Sequence, residues 1–169
     1  MKLLLLTLLI SKVAFLTPEP AIEDVIAKFD EAGIAWNAVD KVNWPDYPYK
    51  PFVEFRMMHS ETEIYLQFHV RENGVRATYG YDFGSLPFTD DCVEFFMIPS
   101  DRDSSYFNLE MNCIGHGTFD YGPGRLDRHR CSDAIIRQIR RHSTLGSEAF
   151  GTPRPSFHEP QWFGEVTFE

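Results

Sequence analysis

The sequence predicts an all-β protein, an antiparallel β-sandwich that forms a single domain over residues 1–169 and carries one short N-terminal helix. Apolar and polar residues alternate with a period of two along several short segments, as in strands with one buried face. Gly, Pro, Asn and Asp separate these segments, as turns between strands require. The chain also contains 15 Phe, 7 Tyr and 3 Trp, so its rings either fill a β-rich core or are displayed for stacking.

Residues 1–12 have two interpretations. Lys2 and the apolar run from Leu3 to Ile10 resemble the apolar part of a signal peptide, and this run is too short to span a bilayer. Because no small-x-small cleavage site follows, we favour an uncleaved first strand that continues to Phe15. A strand here would indicate a cytoplasmic protein, whereas a signal peptide would indicate a periplasmic or extracellular one.

The next segments predict a helix and then a stiff loop. Residues 21–32 carry apolar residues at helical spacing and end before Gly33, which predicts the N-terminal helix. In the following stretch Pro45, Pro48 and Pro51 exclude a regular helix and hold the backbone extended. A second short helix, capped by Ser132, is predicted within residues 132–142.

From Phe52 onward the alternation predicts strands. The segments are 52–58, 63–70, 91–98, 106–113 and 162–169. Residues 91–98 are apolar on both faces apart from Glu94, which indicates a central strand. Three cysteines without metal-binding spacing (Cys92, Cys113 and Cys131) are interpreted as structural thiols.

The alternation also predicts a polar face that suits a sugar. It contains amide, carboxylate and aromatic side chains: Tyr65, Gln67, His69, Tyr106, Asn108, Glu110 and Asn112. Rings stack on the apolar C–H face of a sugar, and amides or carboxylates bond its neighbouring hydroxyls. The alternative is an ordinary polar sheet face that a loop or helix covers.

Further ligand contacts are predicted outside that face. Trp44 and Tyr47 lie in the proline-stiffened loop, which would present their rings at low entropic cost, and Trp162 is interpreted in the same way. Arg76 stands between small residues on a strand, where its guanidinium suits a bidentate contact. Most arginines of the run 125–141 are expected to pair with acids, leaving one or two, among them Arg128, for a ligand.

The net charge and the sequence motifs limit the classes of function that the chain can have. The net charge of −9 argues against a nucleic-acid partner, which would require clustered Lys and Arg. Glu94 and Glu110 have the residue types of a glycosidase pair, but no catalytic fingerprint accompanies them. The acid pairs at 90–91 and at 101 and 103 are candidates for a structural Ca²⁺.

The chain resembles the carbohydrate-binding family 9-like domains, which are relatives of modules attached to xylanases. The strings that carry the resemblance occur in order: Val42-Asn43-Trp44-Pro45, Tyr47-Pro48-Tyr49-Lys50-Pro51, Val70-Arg71-Glu72, Val75-Arg76-Ala77, Asp91-Cys92-Val93-Glu94-Phe95-Phe96 and Tyr106-Phe107-Asn108-Leu109-Glu110-Met111-Asn112-Cys113-Ile114-Gly115. The resemblance implies a jelly-roll-like sandwich that binds sugar between two Trp rings without cleaving it, with structural Ca²⁺ nearby. It places Trp44 and Trp162 in suitable stretches.

Within those strings, the resemblance makes five residues the expected polar contacts: Arg76, Glu94, Asn108, Glu110 and Asn112. Family members continue beyond a Trp-x-x-x-Val-x-x-Glu strand, whereas this chain ends in it at Glu169. We therefore expect either a fragment or a sandwich that lacks its last strands and has an exposed sheet edge. The predicted function is non-catalytic binding of mono- or oligosaccharides in carbohydrate catabolism. The alternatives are a glycoside-active enzyme using Glu94 and Glu110, or an interaction sandwich without a sugar site.

Overall fold

A computed structural model describes residues 14–42, 46, 49–72, 74–78, 86–151 and 164–168, with backbone alone for Glu72 and 164–168. Its strands are β1 (Ala14–Phe15), β2 (Asn37–Ala38), β3 (Phe52–His59), β4 (Ile64–Glu72), β5 (Cys92–Met97), β6 (Tyr106–Asn112), β7 (Gly117–Gly122), β8 (His129–Arg130) and β9 (Gly164–Phe168). Its α-helices are α1 (Val25–Glu31) and α2 (Asp133–Ile136). Two sheets account for all these strands, which confirms the predicted β-sandwich.

The first sheet has five strands in the order β1-β3-β4-β9, and β2 pairs with β3 beside β1. All its pairs are antiparallel except β1 with β3, which run parallel. The alternating segments predicted from residue 52 and from residue 63 are β3 and β4, and the predicted C-terminal strand is β9. The favoured first strand is the short β1, and residues 1–13 lie outside the described residues.

The second sheet is an antiparallel meander in the order β5-β6-β7-β8. The strands β5 and β6 follow the predicted segments, but the central position predicted for residues 91–98 is wrong, because β5 lies at the edge of this sheet and pairs only with β6 among the described residues. Strand β7 was not predicted from the sequence. Its sequence, Gly117–Gly122, begins and ends with glycine, so it has only four residues in which to show an alternation. Helix α2 also proves shorter than the segment 132–142 assigned to it.

The apolar residues that alternate along the two sheets face the space between them, as the alternation predicts, and most of them are half-buried. One cavity of about 80 Å³ lies between them and is lined from both sheets: Ile64, Leu66, Phe68, Val93, Phe95, Leu109, Met111, Ile139 and Arg140. A second, tighter cluster of buried side chains includes Val70, Val75, Cys113 and Ile114. The polar residues that alternate with the inward residues along each strand point outward. They lie on the two outer faces of the sandwich, one on each side of the molecule.

Helix α1 covers part of the outer face of the five-stranded sheet. Val25 and Phe29 of the helix pack on Met58 and Tyr65, and all four side chains are buried. The guanidinium of Arg56 lies 4.8 Å from the Phe29 ring centroid. For Tyr65, therefore, the alternative of a covered face is the correct interpretation.

Glycine at position 117 brings β6 and β7 close together. A Cβ added to Gly117 would lie 2.3 Å from the carbonyl oxygen of Glu110 and 3.1 Å from the Cα of Met111. We expect Gly117→Ala to lower the free energy of unfolding by about 2 kcal/mol because the clash is with backbone that cannot move aside. Urea denaturation measures the loss. In the control Gly124→Ala, the added Cβ would meet only a side-chain oxygen at 4.0 Å, and equal losses would contradict the prediction.

Two further features of the described part of the chain concern disulfides and membrane-spanning helices. Its cysteines Cys92, Cys113 and Cys131 are not joined in disulfides. None of its helices is both long enough and apolar enough to cross a membrane. The jelly-roll connectivity implied by the resemblance stays a prediction.

Candidate functional site

The outer face of the four-stranded sheet brings predicted site residues together. Strand register aligns Glu94 with Glu110, and Asn108 with both Phe96 and Asp120. Because side chains alternate along a strand, these residues share one face. Arg130 pairs in register with Asp120 on the same face, and Arg128 reaches it from the segment before β8.

Asn108 is the centre of a polar chain across this face. Its side chain is buried, with 1% of the residue exposed. The Nδ2 amide donates a hydrogen bond to Glu94 Oε2 at 3.3 Å, and Oδ1 accepts one from Nη1 of Arg128. These two bonds hold an exposed carboxylate and a guanidinium in fixed positions on either side of the amide. We call Arg128, Asn108 and Glu94 the polar triad.

Aromatic rings flank the polar triad. The guanidinium carbon of Arg128 lies 5.8 Å from the centroid of the Tyr106 ring. The Phe96 ring is tilted against Tyr106 with 5.8 Å between centroids, and 56% of Phe96 is exposed. A half-exposed ring beside fixed hydrogen-bonding groups is the combination that a sugar requires.

Glu110 lies beside the triad in a different environment from Glu94. Only 8% of the residue is exposed, and its carboxylate accepts a hydrogen bond from the Phe88 backbone N–H. Its Oε1 has no hydrogen-bond partner among the residues that the structure describes. Burial raises the pKa of Glu110 to about 7, with a smaller contribution from the charges of Glu94 and Asp120. Part of the Glu110 population is therefore protonated at neutral pH.

The remaining charges of this face are partly neutralised. Arg130 Nε donates to Asp120 Oδ1 at 2.8 Å, in line with the expectation that the arginines of this region pair with acids. Arg140 likewise pairs with Glu63, which directly precedes β4 of the five-stranded sheet. Arg128 contributes a further unsatisfied atom, since its Nε is buried without a partner in the described part of the chain.

A second polar group, around Asp90, is buried and belongs to the framework. Asp90 accepts hydrogen bonds from the Thr78 amide at 3.0 Å, the Thr78 hydroxyl at 2.7 Å and Asn112 Nδ2 at 3.1 Å. Arg76 Nε lies 3.5 Å from Asp90 Oδ1, and the Arg76 guanidinium also donates to the carbonyl of Thr89. These bonds fix residues 74–78 against the second sheet.

Asn112 extends this framework into the turn before β7. Its Oδ1 accepts the backbone N–H groups of Ile114 and His116, at 3.3 and 2.9 Å. Asn112 is fully buried and Arg76 is 4% exposed. The structure therefore places these two predicted contacts in the buried framework, apart from the triad and the exposed Phe96.

Of the predicted site residues, Glu94, Asn108, Glu110 and Arg128 come together on one face. Trp44, Tyr47 and Trp162 lie outside the described residues. Phe96 and Asp120 were not predicted as site residues. The register of β5 and β7 with Asn108 adds them, and from sequence Phe96 looked like core because it lies in a run apolar on both faces.

Trp36 is another ring that the sequence analysis did not select. It lies beside the five-stranded sheet, with 37% of the residue exposed. The guanidinium of Arg56 is 4.4 Å from its ring centroid, and the His69 ring is 5.7 Å away. Trp36 is therefore on the side of the molecule opposite to the triad.

The candidate acids for calcium are already engaged. Both carboxylate oxygens of Asp90 accept hydrogen bonds, and Asp103 accepts them from Ser105 N and the Tyr121 hydroxyl. Over the described ranges, no group of three or more His, Cys, Asp or Glu side chains is arranged to hold a metal ion. Calcium stays an untested prediction.

Comparison with known proteins shows which family and which solved structure the chain is similar to. The model of carbohydrate-binding family 9 matches residues 23–154, more than half of the chain. The chain is also similar to the crystal structure of a protein from Bacteroides uniformis ATCC 8492 to which carbohydrate binding has been ascribed. The two share 33% identity with a TM-score of 0.78, over 92% of this chain and 69% of that one. Comparison with curated proteins finds no match.

Proposed function

The chain belongs to carbohydrate-binding family 9, as its sequence strings predict, and on this premise we propose that it binds sugar non-catalytically at the outer face of the four-stranded sheet. The observation that carries the proposal is the polar triad beside the exposed Phe96 ring. On one side of Asn108 the Glu94 carboxylate can accept a hydrogen bond from a sugar hydroxyl, and on the other side the Arg128 guanidinium can donate one to a neighbouring hydroxyl. The adjoining rings offer an apolar surface to the C–H face of the sugar.

The affinity should be modest. The face is part of an open sheet, so a sugar bound there keeps much of its surface in water. Stacking and a few hydrogen bonds then give a binding free energy of about 4–8 kcal/mol, which corresponds to dissociation constants from roughly millimolar to micromolar. The triad is already hydrogen-bonded internally, and this lowers the entropic cost of ordering it around a ligand.

Other predicted residues enter the proposal in different roles. We assign Arg76 and Asn112 to the support of the face, because both are buried in the hydrogen-bond group around Asp90. Trp44, Tyr47 and Trp162 stay candidates for stacking on the basis of the resemblance. A role in carbohydrate catabolism follows from the same resemblance.

The enzyme alternative uses the same two strands. Glu94 and Glu110 are direct partners in register, and burial raises the pKa of Glu110 to about 7. A pair of neighbouring carboxyls, one of them able to hold a proton near neutral pH, is the equipment of a glycosidase. Turnover of chromogenic glycosides that disappears in Glu94→Gln would establish the enzyme.

The third alternative is an interaction sandwich. It draws on the burial of Asn108 and Glu110 and on Arg128, which lies across Asn108. The exposure of Glu94 and Phe96 favours the sugar proposal over this one, because these side chains remain accessible to a small ligand.

Isothermal titration with a panel of mono- and oligosaccharides tests the proposed function. We expect binding by the unaltered chain, and affinity about tenfold weaker in Phe96→Ala, because the variant loses one stacking ring. Phe15→Ala is the matched control, since Phe15 is 51% exposed and lies on the other sheet. No heat with any sugar, or an equal loss in both variants, would count against the site.

A further inference from the structure

The charges around the polar triad carry information about the sugar. We propose that the preferred ligand is an amino sugar whose ammonium group lies between the carboxylates of Glu94 and Glu110. This inference rests on the proposed function, since it concerns the same face, and it names the class of sugar bound there.

The outer face of the four-stranded sheet carries more carboxylates than guanidiniums. Three carboxylates lie there, on Glu94, Glu110 and Asp120, together with the guanidiniums of Arg128 and Arg130. Arg130 is engaged by Asp120 at 2.8 Å. When all five groups are ionised, the face is one positive charge short of neutrality, which a cationic ligand supplies.

The two glutamates have hydrogen-bonding capacity that the described residues leave unused. Glu94 accepts from the Asn108 amide, but no ion pair joins it to a cation within the described part of the chain. Glu110 is more than nine-tenths buried, and its Oε1 has no hydrogen-bond partner among the described residues. An unsatisfied buried acceptor is costly, so a ligand that donates to this pair gains more than one that donates to exposed acceptors.

Glu94 and Glu110 lie close enough together to bind the same group. Glu94 and Glu110 are register partners on adjacent antiparallel strands, which places their Cβ atoms about 4.5–5.5 Å apart on the same face. An ammonium group has three donors and can reach both carboxylates, whereas a hydroxyl donates one hydrogen bond. A uronic acid would instead bring a third carboxylate towards this pair, at an electrostatic cost.

The protonation of Glu110 adds a measurable consequence. The charged or titratable groups that face it are Glu94 and Cys92 from β5, Asp120 from β7 and Arg128, while the turn at 87–89 contributes the Phe88 N–H. Burial raises the pKa of the Cys92 thiol, so that group stays neutral. An ammonium beside Glu110 favours its ionised form, and binding near pH 7 should therefore release protons to the buffer.

Titration calorimetry of the full chain at pH 7 with glucosamine, glucose and glucuronate tests the inference. We expect glucosamine to bind about tenfold more tightly than glucose, because hydrogen bonds to charged groups are stronger. We expect glucuronate to bind more weakly than glucose. In a second titration at pH 6, where the glucosamine amine is already protonated and takes up almost no proton, the heat for glucosamine alone should change between buffers of different ionisation enthalpy, which reports proton release from Glu110.

Glu94→Gln separates charge from shape. Because Glu94 is exposed, the variant should fold normally. Its affinity for glucose should fall, since Glu94 belongs to the polar triad, but its affinity for glucosamine should fall about tenfold further, so that the preference for glucosamine is lost. The control Glu61→Gln removes an exposed carboxylate elsewhere and should keep the preference. Equal affinities for glucose and glucosamine would overturn this inference and leave the proposed function standing. Absence of binding by all three sugars and by the wider panel would overturn both.

Discussion

The substitution Asp90→Ala should lower the free energy of unfolding by about 3–5 kcal/mol, because it removes one partner of a buried ion pair. The Asp90 side chain is fully buried and accepts from Thr78 and Asn112. Its loss would remove the carboxylate that lies 3.5 Å from Nε of Arg76, a side chain that is 5% exposed. Residues 74–78 would then be held less firmly against the second sheet.

Urea denaturation followed by circular dichroism measures this loss. Asp101→Ala is the control, since Asp101 is exposed, and its effect should stay within about 0.5 kcal/mol. If Asp90→Ala were as stable as that control, the buried group would not hold the segment in place. The experiment requires no ligand, so it tests the framework independently of the sugar proposal.

The second large effect concerns pH. Burial raises the pKa of Glu110 from its ordinary value of 4.5 to about 7 in the folded chain. Between these pH values the folded state keeps a proton that the unfolded state has released, so the stabilising contribution is complete below pH 4.5 and is lost as pH rises through 7. The full shift corresponds to a loss of up to about 3 kcal/mol.

Denaturation of Glu110→Gln at pH 5 and pH 8 isolates this effect. A neutral glutamine cannot ionise, so the variant should escape the part of the pH dependence that belongs to Glu110, and it should exceed the unaltered chain in stability at pH 8. Glu61→Gln should retain the pH dependence of the unaltered chain, because Glu61 is exposed. The same pH dependence in Glu110→Gln as in the unaltered chain would show that Glu110 is not the group responsible.

Much of the fold was predictable because a strand with one buried face must alternate. The period of two placed β3, β4 and β6. The run apolar on both faces indicated strand β5 but not its position, because β5 lies at the edge of its sheet and the sequence cannot show which strands pair. Strand β7 could not be predicted in this way, because its two terminal glycines leave too short a pattern. Glycine is required at 117 by the closeness of β6, a tertiary contact that the local sequence does not reveal.

For the site, the sequence by itself determined the residue types and the strands that carry them, and its strings indicated the family. It could not show which alternate positions share a surface, because that depends on strand register and on what packs above each sheet. Register brought Glu94 and Phe96 next to Asn108, and helix α1 buried Tyr65. Only the tertiary structure separated Arg76 and Asn112, held in the buried framework by Asp90, from the triad, since burial and hydrogen-bond partners arise when distant segments meet.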